Sequence, residues 1–143
     1  MADQGLYRDV LLDHYRHPRN RCEDGLEGAD ITRRGSNPRC GDEIEVGLYL
    51  DEDRLAQVRF RGHGCSVCIA SASMMTQAVR GHTRDEAQRL CQEMGRWFGQ
   101  GEGEVLPSPP EGLRALSAVR EYPARRRCVA VSWEALAAAL DGT

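Results

Sequence analysis

The chain has 143 residues, a formal net charge of -3 at pH 7 and 41% hydrophobic residues, which is typical of one soluble globular domain. The small net charge gives no reason to expect binding to nucleic acid or a membrane surface, and no apolar run approaches the roughly 18 residues of a membrane span. The first residues, Met1 to Gln4, lack a signal-peptide pattern. We therefore expect a cytoplasmic protein whose six cysteines are reduced.

The first half of the chain predicts one helix, a short strand and a β-hairpin. Residues 6–15 have the apolar spacing of an amphipathic helix, and residues 29–34 are typical of a short strand. Apolar and polar residues alternate over 43–50 and again over 56–60, which predicts two paired strands with one buried face. Residues 66–79 are apolar or small on almost every side, which favours a largely buried helix.

The second half predicts further helices and a long loop. Thr83 and Glu86 have the spacing of a capping box at the start of a helix, and residues 113–119 fit a short helix. Residues 99–112 are rich in Gly, Pro and Glu, so we expect a mobile insertion there. The last helix should begin near Pro123 and pack on the apolar face of the hairpin. The fold class is therefore α+β: a single domain over residues 1–143, with a small antiparallel sheet of about three strands covered on one face by helices.

Three cysteines stand in motifs that also contain Gly, Pro or charged residues. They are Cys40 in Asn37-Pro38-Arg39-Cys40-Gly41-Asp42, Cys65 in Gly62-His63-Gly64-Cys65, and Cys128 after Pro123-Ala124-Arg125-Arg126-Arg127. In an extended strand the side chains of Cys40 and Asp42 would point to the same face, where a thiolate and a carboxylate can share a cation. Taken alone, this motif better fits a surface turn with a buried cysteine and a solvated aspartate.

The remaining cysteines and the histidines carry weaker signals. Cys65-x-x-Cys68 has the spacing of a zinc half-site or a redox pair, but no βαβ unit surrounds it, so we expect Cys68 to be a buried free thiol. Cys91 is expected to be packed on a helix and Cys22 to be incidental in a polar loop. The histidines are expected to be exposed: His14, His17, His63 and His82.

Together the three motifs resemble the U-type iron–sulfur cluster assembly family, which comprises IscU, SufU and the N-terminal domain of NifU. Ala70-Ser71-Ala72-Ser73-Met74-Met75 adds to the match, and the resemblance runs from the first helix to Trp133. Scaffold-type members carry a His directly before the third cysteine, where this chain has Arg127, and they have a shorter connection between the second and third cysteines. Both departures favour the SufU pattern.

The resemblance implies a zinc site formed by Cys40, Asp42, Cys65 and Cys128. It also implies that Cys40 accepts persulfide sulfur from a SufS-like cysteine desulfurase, a histidine of which replaces Cys40 on the metal, and that other iron–sulfur assembly proteins are partners. Arg125 matches a family arginine that would support Asp42 or shield the thiolates. Such a chain is a zinc-dependent sulfurtransferase. Two alternatives stay open: a scaffold that holds iron or a [2Fe–2S] cluster, and a structural zinc domain. Whether Cys68, His63 or Arg127 has a role is left open.

Overall fold

The computed structural model describes residues 3–98, Pro109 and residues 112–143. The predicted insertion near residues 99–112 lies almost entirely outside them. In chain order the elements are α1 (Asp3–Arg16), β1 (Ile31–Asn37), β2 (Asp42–Asp51), β3 (Arg54–His63), α2 (Ser66–Val79), α3 (Arg84–Phe98), a 3-10 helix (Arg114–Val119) and α4 (Pro123–Asp141). No helix in these ranges is long and apolar enough to cross a membrane.

The three strands form one antiparallel sheet in the order β1-β2-β3, as predicted. Alternation along β2 and β3 places Ile44, Val46 and Phe60 on the buried face, where they are fully inaccessible. The first strand begins and ends later than residues 29–34, because the ladder continues to the pair Asn37 and Asp42. That last pair places the turn at residues 38–41 at one end of the sheet.

Helices α2 and α4 cover the buried face of the sheet. Helix α2 packs against β3, α1 and α4, and it has the predicted bounds because its small and apolar residues are buried on nearly every side. Helix α4 packs against β1 and β2, so the expectation that it covers the hairpin is confirmed for β2. Gly35 allows the close approach of β1 to α4, because a Cβ at this position would collide with the carbonyl of Val131. The sheet and α4 are thereby held close enough to share a site.

Helix α1 is tied to α2 by a buried histidine that we expected on the surface. His14 follows Val10 and Leu11 at helical spacing, so it faces α2 and is buried. Its Nδ1 lies 2.7 Å from the Ser73 Oγ, which also accepts a 2.8 Å hydrogen bond from the backbone N–H of Arg19. Burial, followed by the charge of Arg19, lowers the pKa of His14 from its ordinary value.

The predicted capping box at the start of α3 is confirmed. The Thr83 Oγ1 accepts a 3.1 Å hydrogen bond from the backbone N–H of Glu86, and the Glu86 carboxylate accepts one of 2.9 Å from the backbone N–H of Thr83. These bonds lower the pKa of Glu86. Each satisfies a donor that the first turn of a helix would otherwise leave without a partner.

Candidate metal centre

Three of the predicted ligands meet where the β1–β2 turn approaches α4. One ligand atom each from Cys40, Asp42 and Cys128 lies within 4.8 Å of the other two. Cys40 belongs to the turn, Asp42 is the first residue of β2, and Cys128 comes from the far end of the sequence. The fold therefore brings together groups that are 88 residues apart in the chain, counted from 40 to 128.

The turn presents Cys40 in a way that differs from our strand argument. The backbone N–H of Cys40 donates a 3.1 Å hydrogen bond to the carbonyl of Asn37, and Gly41 has a φ of 70°. Cys40 therefore lies in a tight turn and not on the strand with Asp42. The two side chains converge because the chain folds back, not because they share a pleat. Of the six cysteines, all within the described residues, Cys40 alone is exposed.

Asp42 is the residue whose surroundings most directly fit a cation. Only 1% of its surface is exposed. Its Oδ1 accepts a 2.9 Å hydrogen bond from the backbone N–H of Cys65, whereas its Oδ2 is buried without a hydrogen-bond partner. Buried carboxylate oxygens are normally paired or bound to metal, because an uncompensated buried charge is costly. A cation between Asp42 and the neighbouring thiols would satisfy this oxygen.

Cys65 lies beside the group of three without belonging to it. It is the N-cap of α2, in extended conformation, and its thiol is partly exposed. Its backbone N–H holds Asp42, and its side chain interacts with that of Cys128. The role of Cys65 as a ligand stays a prediction.

Cys128 is the buried thiol of the group. It is the sixth residue of α4, in the second turn of a helix that begins at Pro123. Its Sγ lies 3.4 Å from the carbonyl of Ala124 and 4.0 Å from the Asn37 Nδ2. Burial, followed by the proximity of the Asp42 carboxylate and the Cys65 thiol, raises the pKa of Cys128 above its ordinary value. A bound metal cation would favour the thiolate here.

Arg125 lies on the solvent side of the same cluster, one turn before Cys128. Its guanidinium is exposed. The charge of the Cys65 thiolate and a hydrogen bond with it raise the pKa of Arg125, with smaller contributions from Cys128. Arg125 therefore faces the thiols, whereas nothing in the geometry pairs it with Asp42.

Three residues that border the site were not assigned a place in it from the sequence. Gly64 is needed because a Cβ there would lie 2.7 Å from the Asp42 Oδ1 and 2.9 Å from the Cys68 Sγ. Asn37 is buried, with its amide aimed at Cys128. Cys68 is the buried thiol that we expected, but it borders the site: after burial, the charges of Asp42, Cys65 and Cys40 raise its pKa. The Gly-x-Gly-Cys spacing was the available signal for Gly64.

The other candidates lie apart from this cluster. His63, at the end of β3, is exposed as predicted. Cys22 is half-buried in the loop before β1, and Cys91 is packed in α3, where burial and the nearby Asp141 raise its pKa to about 12. Neither thiol is close to the group of three.

The donor set fits a soft divalent metal. Thiolates select zinc, copper(I) and iron–sulfur clusters over hard cations, and zinc accepts Cys sulfur together with Asp oxygen in a tetrahedral site. Cys40, Asp42 and Cys128 offer three such donor atoms to a metal ion, and Cys65 lies beside them.

Fold and site together define a small α+β domain with a candidate thiolate–carboxylate metal centre. The sequence model of the NifU-like N-terminal domain matches residues 6–129, and the chain belongs to this family, which includes SufU and IscU. It is 38% identical over 131 residues to the zinc-dependent sulfurtransferase SufU of Bacillus subtilis (strain 168), covering 92% of this chain and 86% of that protein.

Two further relatives carry scaffold names. The iron–sulfur cluster assembly scaffold protein IscU of Streptococcus pyogenes serotype M1 is 34% identical over 138 residues, covering 94% of this chain and 82% of that protein. The crystal structure of FiSufU from the thermophilic Fervidobacterium islandicum AW-1, named as a scaffold for the SUF system, superposes with a TM-score of 0.76 at 27% identity, covering 96% of this chain and 98% of that one. These similarities confirm the predicted family and fold class.

Proposed function

We propose that this protein is a zinc-dependent sulfurtransferase that accepts persulfide sulfur from a cysteine desulfurase and passes it into iron–sulfur cluster assembly. The observation that carries the proposal is the position of Cys40. It is the exposed cysteine of the six, and it borders the buried Asp42 and Cys128. A partner's persulfide can reach this thiol from solvent, while the other groups of the cluster stay anchored in β2 and α4.

The transfer itself exchanges one sulfur–sulfur bond for another. The Cys40 thiolate attacks the outer sulfur of the desulfurase persulfide, and a new S–S bond forms on Cys40 as the old one breaks. The electron pair of the broken bond leaves with the desulfurase cysteine, which departs as a thiolate. No oxidant or reductant is consumed. The attacking group must be the thiolate, because the thiol is a poor nucleophile.

Each remaining residue has a role in presenting Cys40. Zinc, when bound by Cys40, Asp42, Cys65 and Cys128, keeps these thiols deprotonated near neutral pH and has no redox chemistry of its own. Asp42 holds the start of α2 through the backbone N–H of Cys65. Arg125 balances the negative charge of the thiolates from the solvent side. Asp42 and Cys128 stay fixed in β2 and α4 when Cys40, in its turn, engages the partner.

Desulfurase turnover without iron tests this proposal. The assay compares the zinc-loaded chain, the zinc-stripped chain, Cys40→Ala, and Cys22→Ser as a control that removes a half-buried thiol away from the site. We expect stimulation by the zinc-loaded chain and by Cys22→Ser, and none by the zinc-stripped chain or Cys40→Ala. Equal stimulation by Cys40→Ala would remove Cys40 as the acceptor.

A cluster scaffold is the second candidate function, favoured by the 34% identity to the Streptococcus pyogenes scaffold protein over most of the chain. It uses the same thiols with iron in place of zinc. Arg127, exposed on α4 directly before Cys128, is an arginine that cannot ligate iron. The scaffold function predicts no stimulation of the desulfurase without iron, and a coloured cluster on the chain once iron and sulfide are supplied.

A further inference from the structure

We propose that Cys68 is a reserve metal ligand, which binds the zinc in the isolated chain when Cys40 leaves it. The inference rests on the proposed zinc site and adds a fifth donor to it. The site would then keep four ligands while Cys40 carries sulfur. The evidence is the placement of the buried Cys68 sulfur near the Asp42 carboxylate, across the space left by Gly64.

Cys68 and Asp42 border the same point in space. A Cβ on Gly64 would lie 2.7 Å from the Asp42 Oδ1 and also 2.9 Å from the Cys68 Sγ. Because Gly64 has no side chain, no atom of this residue separates the Cys68 thiol from the Asp42 carboxylate. The thiol is fully buried. Rotation about one side-chain bond moves such a sulfur between staggered positions without moving the backbone.

The start of α2 places Cys65 and Cys68 as a pair. Cys65 is the N-cap and Cys68 is the third helical residue, the two positions whose side chains meet over the first turn in a capping box. In this helix the N-cap side chain makes no capping hydrogen bond. Both sulfurs are thus available at the end of the helix that Asp42 holds through the Cys65 N–H.

A reserve ligand is needed because zinc in such sites prefers four ligands. Protein zinc sites without an open position are nearly always four-coordinate. When Cys40 departs, the proposed site keeps Cys65, Cys128 and Asp42, and a thiolate is a better fourth ligand for zinc than solvent. Cys68 releases its proton to solvent as it binds, as any ligating thiol does. Neither Cys22 nor Cys91 is placed to do this, because each lies away from the cluster.

Zinc affinity in a set of variants tests the inference. A chromogenic chelator competes for zinc with the isolated full chain of wild type, Cys40→Ser, Cys40→Ser/Cys68→Ser and Cys40→Ser/Cys91→Ser. The last variant is the matched control, because it removes a different packed helical thiol. We expect Cys40→Ser to keep one zinc per chain. Adding Cys68→Ser should raise the Kd by more than the roughly 10- to 100-fold that loss of an outer-shell partner costs, and adding Cys91→Ser should leave it unchanged.

Cobalt(II) substitution gives a second readout that needs no double variant. The intensity of the sulfur-to-cobalt charge-transfer band follows the number of bound thiolates. Cys40→Ser should keep the wild-type intensity, with Cys68 in place of Cys40, whereas two-thirds of that intensity would overturn the inference. Equal Kd values for the two double variants would overturn it as well. Failure of the wild-type chain to bind zinc would instead overturn the proposed function and, with it, this inference.

Discussion

The backbone N–H of Cys65 donates a 2.9 Å hydrogen bond to the Asp42 Oδ1, while the other carboxylate oxygen is buried and has no hydrogen-bond partner. One bond thus fixes the start of α2 to the start of β2, and one oxygen is left for a cation. This pairing explains why Asp42 can be buried beside three thiols. A bound metal would offset the cost of burying these groups together.

Asp42→Asn should remove the negative charge of this side chain while keeping its size and shape. The amide oxygen can still accept the hydrogen bond from Cys65, but the anionic ligand is lost, so zinc affinity should fall by at least about 100-fold. Zinc at 100 times the wild-type Kd stabilises the wild-type chain by about 2.7 kcal/mol, and the same concentration should stabilise the variant by no more than about 0.4 kcal/mol. Urea unfolding with and without zinc measures both values. The control is Asp51→Asn, an exposed position at the end of β2; a full zinc effect in Asp42→Asn would show that Asp42 is not a ligand.

Gly64→Ala should damage the site through a single methyl group. The added Cβ meets the Asp42 Oδ1 at 2.7 Å and the Cys68 Sγ at 2.9 Å, so one of these groups must move. We expect zinc affinity to fall about 10- to 100-fold, the range for loss of a supporting contact. Gly5→Ala is the control, because a Cβ there has nothing within 4 Å. Chelator competition measures both, and unchanged affinity in Gly64→Ala would mean that the site tolerates a shift of the carboxylate.

Arg125→Ala should slow sulfur acceptance while leaving zinc bound. The guanidinium faces the thiols of Cys65 and Cys128 from solvent, so it contributes charge rather than a ligand. We expect desulfurase stimulation to fall about 5-fold, the upper end for an exposed charge pair, and less at high salt. Arg127→Ala, which removes an exposed arginine two residues along α4, should have a smaller effect. Equal losses in the two variants would assign the effect to general surface charge.

His14 should make the stability of the zinc-free chain depend on pH. Its pKa in the folded protein lies below the ordinary value of 6.5, because burial and Arg19 disfavour the charged form. The unfolded chain therefore binds the proton first as the pH falls. The stability that His14 contributes is complete above pH 6.5, declines as the pH falls through 6.5, and levels off below the lower pKa of the folded state.

Urea midpoints at pH 7.5, 6 and 5 measure this decline. His14→Gln can keep a hydrogen bond to Ser73 but cannot titrate, so its midpoint should change less over this range than that of the wild type. His17→Gln, at an exposed position, should behave as the wild type does. Parallel profiles for His14→Gln and the wild type would contradict the assignment.

Regular patterns in the sequence predicted most of the fold. The bounds of α2 and the capping box of α3 depend on neighbouring residues, so local rules found them. His14 was predicted to be exposed because histidine is polar, although its helical spacing from Val10 and Leu11 places it on their buried face. A partner such as Ser73, 59 residues away, is invisible to a local pattern.

The site was predicted in composition but not in geometry. Cys40, Asp42 and Cys128 do converge, yet spacing alone could not show it, and the family resemblance supplied the third motif. The shared-face argument for Cys40 and Asp42 was wrong because the turn ends only at Asp42. Gly64 was missed because it contributes no side chain to the site. The need for a glycine is evident only from the positions of Asp42 and Cys68 around it.

The most direct test of the central claim is the site at which sulfur arrives. The zinc-loaded chain is first incubated with a cysteine desulfurase and cysteine. It is then alkylated, digested with trypsin and examined by mass spectrometry. The chain has no lysine, and cleavage at arginine places Cys40 on peptide 40–54, Cys65 and Cys68 on 62–80, and Cys128 on 128–143. We predict one added sulfur atom on peptide 40–54. Added sulfur on another peptide, with peptide 40–54 unmodified, would contradict the assignment of Cys40 as the acceptor.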